Sequence, residues 1–303
     1  LATPFQSTNN DVFDITTFLN CKPYLISKDN RIVTFVTQKI LEPLDQKQMN
    51  MRILDVGSGD ATVIAHVCYL LSSYVNHESH LKFRITVDCV EPCSYGIKLI
   101  RQMTKKVKDS GISMISRHST IENFLINRTG NYNAIVCCHT LYHIKLPKWK
   151  SVIQGLMSAL QQGGILILNL VSYKSDIYRI KDTIEKIPGF QKFPKMYKNY
   201  GYDYYAEDLE DVLTQLGNNL EEITILADIS FPREDVYEAI KELHGGSGNS
   251  SILQFFAFMF RIRHDDLLAI GKNILLELLI KASEGITFKS IDKMFIFRMK
   301  KSR

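Results

Sequence analysis

The residues best equipped for chemistry fall at three places in this chain of 303 residues. At the first, Asp55-Val56-Gly57-Ser58-Gly59-Asp60 follows an apolar, strand-like run and leads straight into a helical pattern. A strand that ends in an acid and a Gly-x-Gly turn leaves backbone amides open at a helix N-terminus, a geometry that serves nucleotides. Thr62 stands where a dinucleotide fingerprint wants its third glycine, and no Gly-Lys-Ser/Thr follows the turn, so a pyrophosphate or nucleoside triphosphate is not the expected ligand. Asp55 is expected to orient the turn by accepting hydrogen bonds, with Ser58 between the glycines. At the second place, Glu91-Pro92 closes the next apolar run, 35 residues beyond Val56. A carboxylate at such a strand end can accept both hydroxyls of a ribose. The third place is Cys138-His139-Thr140-Leu141-Tyr142-His143, at the end of a further apolar run. His139 can accept a proton from an acceptor or hydrogen-bond it, or it can simply satisfy a backbone carbonyl. The six cysteines form no C-x-x-C pair, and no metal site is expected.

Alternating strand-like and helix-like runs from Met51 onward would position these residues, the signature of βαβ units around a parallel sheet. Strands are expected at 52–56, 84–90, 113–118, 133–138, 165–171, 222–229 and 293–298, with helices at 62–74, 93–109, 148–160, 207–216 and 233–243. Gly163-Gly164 reads as a helix stop before the fifth strand. The organisation expected is an α/β domain over 51–231 and 287–303, an N-terminal helical cap over 1–50, and an auxiliary helical subdomain over 232–286. Residues 172–206 form an insertion rich in tyrosine and phenylalanine, and long insertions of this kind tend to be functional. In an open parallel sheet ligands bind at the carboxyl ends of the strands, where the three places above converge.

The glycine turn and Glu91 together resemble the S-adenosylmethionine site of class I methyltransferases. The Asn/Asp-Pro-Pro-Tyr/Phe tetrapeptide of nucleic-acid adenine and glutamine N-methyltransferases is absent. More closely, the chain resembles the histamine N-methyltransferase family. The likeness runs from Phe18-Leu19-Asn20 through "VEP" at Val90–Pro92, "LYHIK" at Leu141–Lys145, "YAEDLEDVLTQLG" at Tyr205–Gly217 and "DIS" at Asp228–Ser230 to "MFIFR" at the close. That resemblance implies a Rossmann-like, seven-stranded sheet with helices on both faces and an auxiliary helical substrate region. It further implies S-adenosyl-L-methionine as cofactor, S-adenosyl-L-homocysteine as product, and no metal. On the cofactor side it implies Asp55, Gly57, Ser58, Gly59, Glu91, Pro92, Thr120, Cys138 and His139; the family's glutamine five residues past the ribose acid is Gly96 here. On the substrate side, the family's N-terminal glutamate falls on Lys28 or Asp29, of which Asp29 keeps a carboxylate, and its last-strand asparagine falls near Lys289 or Ser290. Asp29 and His139 are therefore the catalytic candidates, and Asp29, Tyr142, Tyr204 and Tyr205 the acceptor-binding ones.

The implied activity is methyl transfer to a small-molecule nitrogen, an amine or imidazole. Transfer to a carboxylate, which a cationic pocket around Lys28, Arg31 and Lys289 would favour, transfer to a macromolecule, and an inactive cofactor-binding scaffold are the alternatives. Composition fits a globular chain, with 45% hydrophobic and 23% charged residues, and a net charge of +5 without a basic block advertises no nucleic-acid partner. No apolar run reaches the ~18–20 residues that a membrane-spanning helix needs. Cysteines inside apolar runs suit a reducing, cytoplasmic setting. A monomer or weak homodimer is expected.

Overall fold

The computed structural model describes residues 22–43, 50–79, 83–126, 129–188, 204–217, 220–246, 248, 250–260 and 263–300. Phe18, Leu19 and Asn20, and the insertion aromatics Phe190, Phe193, Tyr197, Tyr200 and Tyr202, lie outside the described residues. A 3-10 turn, Lys22–Leu25, leads into α1 (Ile26–Leu41), whose Ile32, Val33, Val36 and Ile40 recur at helical spacing and are all buried. There follow β1 (Asn50–Val56), α2 (Thr62–Ser79), β2 (Arg84–Glu91), α3 (Ser94–Val107), β3 (Ile112–His118), a single turn α4 (Ile121–Phe124) and β4 (Tyr132–Cys138). The second half runs α5 (Leu146–Ala159), β5 (Leu160–Val171), α6 (Asp176–Glu185), α7 (Ala206–Gln215), β6 (Glu221–Ile229), α8 (Arg233–Leu243), α9 (Ser251–Phe260), α10 (His264–Ser283) and β7 (Phe288–Arg298).

The seven strands form one sheet in the order β3-β2-β1-β4-β5-β7-β6. Neighbours from β3 to β5 are parallel, whereas β7 inserts antiparallel between β5 and β6. The order reverses between β1 and β4, so the turns after β1 and β4 flank the crevice where ligands of such sheets bind. Because β7 runs backwards, its first residues lie beside the last of β5, with Asp292 opposite Val171. Residues far apart in sequence thus share the carboxyl edge of the sheet.

Adjacent residues such as Ile53 and Leu54 are both fully buried, as a strand covered on two faces requires. One apolar core lies between the sheet and α1, α2 and α3, and a second between the sheet and α5 and α7. A third joins α6, α8, α9 and α10 to Tyr24, Leu25, Ile229 and Phe288. The chain ahead of α1 therefore shares a core with the auxiliary helices, where the sequence suggested two separate additions.

Two local expectations are revised. The Gly163-Gly164 pair does not stop a helix: α5 has already ended at Ala159 and β5 begins at Leu160. Gly163 takes φ +76° in an irregular stretch where the β4–β5 register shifts between Tyr132 and Ala134. A Cβ at Gly164 would lie 2.9 Å from the Tyr132 carbonyl oxygen, so only glycine permits that backbone approach. The last strand begins at Phe288 rather than Lys293, because Phe288, Ser290, Asp292, Met294 and Ile296 alternate inward through polar as well as apolar positions.

Candidate active site

The turn after β1 is built on close approach. Gly57, at φ +67°, donates its N–H to the Val90 carbonyl at 2.8 Å. A Cβ there would lie 2.4 Å from Thr140 Cγ2 and 2.5 Å from its Oγ1, so Thr140 occupies the space that glycine leaves free. Thr140 Oγ1 in turn donates to the Val56 carbonyl at 2.7 Å, fastening the end of β4 to the end of β1. Gly59, at φ +55°, faces open space instead. Its N–H donates to Glu91 Oε2 at 2.9 Å, and the Cys93 N–H donates to Glu91 Oε1 at 2.9 Å. One backbone donor on each oxygen fixes the carboxylate plane and leaves further lone pairs for a ligand. Burial raises the Glu91 pKa, and the two amides work against that rise.

Gly96 explains the missing glutamine in structural terms. A Cβ at that position would lie 2.7 Å from Glu91 Cγ and 3.1 Å from the Gly59 carbonyl oxygen, so α3 closes directly on the carboxylate. Around Glu91, Ser119 donates its N–H to the Glu91 carbonyl at 3.3 Å, and His118 Nε2 lies 2.9 Å from the Pro92 carbonyl oxygen. Thr120 caps α4, its Oγ1 accepting the Asn123 N–H. Asp55 is buried beneath the turn, where desolvation drives its pKa up to about 7 against a lowering contribution from Ser58. The thiols of Cys68, Cys89, Cys137 and Cys138 are all pushed up by burial, which removes them as nucleophiles near neutral pH.

Past β4 the chain turns sharply. His139 adopts φ +52°, an uncommon conformation for a residue with a side chain, and donates its N–H to the Asn169 carbonyl at 2.9 Å. Trp149, fully buried, donates its indole N–H to the carbonyls of Leu141 and Ile144 and so holds the loop after His139 against α5. The imidazole Nε2 lies 2.8 Å from Asp292 Oδ2, and Lys28 Nζ lies 3.5 Å from Asp292 Oδ1. Burial would raise the Asp292 carboxyl, yet Lys28 and His139 more than reverse it and bring its pKa down to about 2. Asp29, next to Lys28, has a raised pKa caused by desolvation and opposed by Lys28 and His139.

The segment ahead of α1 spans this edge. Lys22 Nζ donates to Asp60 Oδ2 at 2.7 Å beside the glycine turn, and the Tyr24 hydroxyl donates to Asp235 Oδ2 at 2.7 Å on α8. Residues 22–29 therefore touch the glycine turn, the auxiliary helices, and the His139–Asp292 pair. This is where a lid would sit.

No protein-family description matches the chain, and no curated protein matches it. Solved structures do. A loganic acid methyltransferase with SAH superposes with a TM-score of 0.55 at 11% identity, covering 92% of this chain and 95% of that one. The fold is that of the class I methyltransferases. A cyclopropane synthase from Mycobacterium tuberculosis (TM-score 0.48, 11% identity, 87% of this chain and 83% of that one) and a SAM dependent methyltransferase from Archaeoglobus fulgidus (0.43, 11%, 88% and 94%) also match. At these identities the likeness is one of fold, and the narrower histamine N-methyltransferase resemblance rests on the sequence alone.

Within this class I fold, Asp55, Gly57, Ser58, Gly59, Glu91 and Pro92 come together around one turn, and Cys138 and His139 end the strand across the crevice. Asp29 joins His139 through electrostatics rather than a direct bond. Tyr204 turns toward Trp149 at a ring distance of 5.4 Å in the second core, and Tyr142 packs on the same core beside His143. Tyr205 instead meets Tyr178 at 5.0 Å and Tyr173 at 6.3 Å, an aromatic group just beyond the end of β5. The sequence reading missed Thr140, Asn169 and Asp292. Asn169 is fully buried, donates to the Lys293 carbonyl at 3.3 Å, and leaves its Oδ1 without a partner among the described residues. A carboxylate two residues before the inward Met294 and Ile296 was the available signal for Asp292. Among the described residues no group of histidine, cysteine or acidic side chains could hold a metal, and no helix is long and apolar enough to cross a membrane.

Proposed function

We propose that the chain is an S-adenosyl-L-methionine-dependent methyltransferase that acts by in-line displacement on a small-molecule nitrogen acceptor. The observation that carries the cofactor half is the Glu91 carboxylate, held by the Gly59 and Cys93 amides beside the left-handed turn after β1. The residues fit a nucleoside: an oriented carboxylate for two ribose hydroxyls, and open space over Gly59 where the backbone can be approached. When bound, the cofactor supplies a methyl group on a positively charged sulfur. The protein's part is mainly to hold a neutral nitrogen in line with that methyl at about 3–3.5 Å and to exclude water, since positioning supplies much of the rate.

The acceptor half rests on the His139 loop, which puts a titratable ring next to the crevice and gives it a carboxylate partner. The cations that a carboxylate acceptor would need are engaged elsewhere: Lys28 with Asp292, and Lys289 with Asp228, which Arg31 also faces electrostatically. That pairing favours nitrogen over carboxylate. A histamine-like amine or imidazole, handled by a cytoplasmic monomer or weak homodimer, is the form of the reading the sequence resemblance supports.

Calorimetric titration with S-adenosylhomocysteine tests the cofactor half. Wild type should bind, and Glu91→Gln should bind about 10–100-fold more weakly, the worth of hydrogen bonds to a charged group. Equal binding by both would place the ribose elsewhere. A methyl-transfer assay on histamine beside other amines, imidazoles and carboxylates tests the acceptor half, and turnover confined to carboxylates would refute the nitrogen reading.

A further inference from the structure

We propose that Asp292 is a positioning residue that locks His139 in the Nε2–H tautomer and so turns its Nδ1 lone pair into the proton acceptor for an N–H-bearing methyl acceptor. This rests on the methyltransferase reading above and specifies its acceptor: one whose nitrogen gives up a proton in the course of transfer.

The argument begins with two atoms that have nowhere else to turn. His139 Nε2 and Asp292 Oδ2 are each shut off from solvent, and neither meets hydrogen-bond geometry with any partner among the described residues, so it is their close approach and charge that pair them. They lie 2.8 Å apart. A carboxylate offers only lone pairs, so the ring nitrogen facing it must be the one that carries hydrogen, and in a neutral imidazole the other nitrogen is then bare. The other oxygen of Asp292 is engaged as well, with Lys28 Nζ at 3.5 Å and the Ser290 hydroxyl at 3.4 Å. Lys28 keeps the carboxylate ionised, which agrees with its lowered pKa. The charged and titratable groups around the pair are Lys28 and Asp29 from α1 and Cys138 beside His139 on β4. The left-handed backbone at His139 points the same way, because such strain persists where the surroundings over-determine it and gathers at functional sites.

The proton balance closes within the chain. The acceptor nitrogen's lone pair forms the new N–C bond as the sulfur–methyl pair departs with sulfur. The nitrogen, now cationic, loses its N–H proton to His139 Nδ1. The imidazolium so formed presents its Nε2–H to Asp292, and the proton later leaves to solvent.

Long-range 1H–15N correlation spectra of histidine-labelled full-length protein at pH 8, where an ordinary imidazole is neutral, test this directly. The His139 signal is assigned by its loss in His139→Gln. Wild type should show the Nε2–H tautomer. Asp292→Asn, whose amide can donate to Nε2, should move the ring toward Nδ1–H, while Lys28→Met should leave Nε2–H in place. An Nδ1–H ring in wild type, or an unchanged tautomer in Asp292→Asn, overturns the proposal, and the wild-type spectrum decides the matter even if the variant fails to fold. On whichever of histamine, imidazole and primary-amine probes the wild type methylates, Asp292→Asn should lower kcat about 100-fold, a usual share for acid–base help. Its affinity for S-adenosylhomocysteine should not change. Absence of S-adenosylhomocysteine binding in wild type would sink the methyltransferase reading separately, leaving the tautomer result to stand or fall by itself.

Discussion

Gly57 and Gly59 both adopt left-handed backbone, yet their surroundings differ, and that difference separates two costs that are usually confounded. Replacing either glycine by alanine forces a side chain into positive φ, which costs about 1–2 kcal/mol. At Gly59 nothing lies within 4 Å of the added carbon, so the cost should end there. At Gly57 the added carbon would fall 2.4 Å from Thr140 Cγ2 and 2.5 Å from Oγ1, both belonging to a side chain fixed by its bond to the Val56 carbonyl. Overpacking of this kind adds about 1–3 kcal/mol. Gly57→Ala should therefore cost about 2–5 kcal/mol, from these two contributions together. Urea denaturation of both variants measures the difference. A Thr140→Ala background removes both clashing atoms, so the Gly57→Ala penalty should shrink there by about 1–3 kcal/mol in a double-mutant cycle. Equal penalties for the two alanines, or no coupling to Thr140, would show that the turn yields freely and that Thr140 does not hold it.

Two further outcomes follow from titration. Asp55 has a pKa raised by burial to about 7, so the folded state binds a proton that the unfolded chain has released above pH 3.8, and stability falls as pH rises from about 4 to 7. Asp55→Asn should then stabilise the ligand-free protein at pH 8 by a few kcal/mol, since each tenfold change in proton affinity is worth about 1.36 kcal/mol. The gain should vanish near pH 4 in denaturation curves, and a gain independent of pH would refute the burial account. Asp292 has the opposite sign. Its pKa lowered to about 2 contributes stability that is fully present above pH 3.8 and is lost as pH falls through 2, so Asp292→Asn should flatten the acid limb of the stability profile over that window.

The parallel half of the fold was legible because its signals are local. β1, β2 and β4 are apolar runs bounded by a turn or a charged residue, and the helices between them carry their periodicity openly. The glycine turn and the acid facing it were legible for the same reason: a turn that needs positive φ declares itself as glycine, and an acid that closes an apolar run stands out against it. The fastening of that turn was not, since Thr140 contacts Gly57 across a gap of 83 residues and threonine advertises nothing. Gly163 shows the converse error. A glycine pair after a helix usually marks its end, and only the register shift against β4 reveals that here it accommodates an irregular strand.

The His139–Asp292 side of the crevice was obscured by a polar strand. Lys289, Asp292 and Lys293 break the apolar pattern of β7, so the strand was placed five residues too late and its inward carboxylate went unread. The antiparallel insertion of β7 beside β5 then places Asp292 opposite Val171, within reach of His139 just past β4 and Lys28 from α1. Three charged or titratable side chains drawn from three elements, 111 and 153 positions apart along the chain, have no spacing rule to betray them. What sequence can say is that a buried aspartate in a central strand must be paired, because an unpaired charge there would cost several kcal/mol. The identity of its partners is a property of the topology.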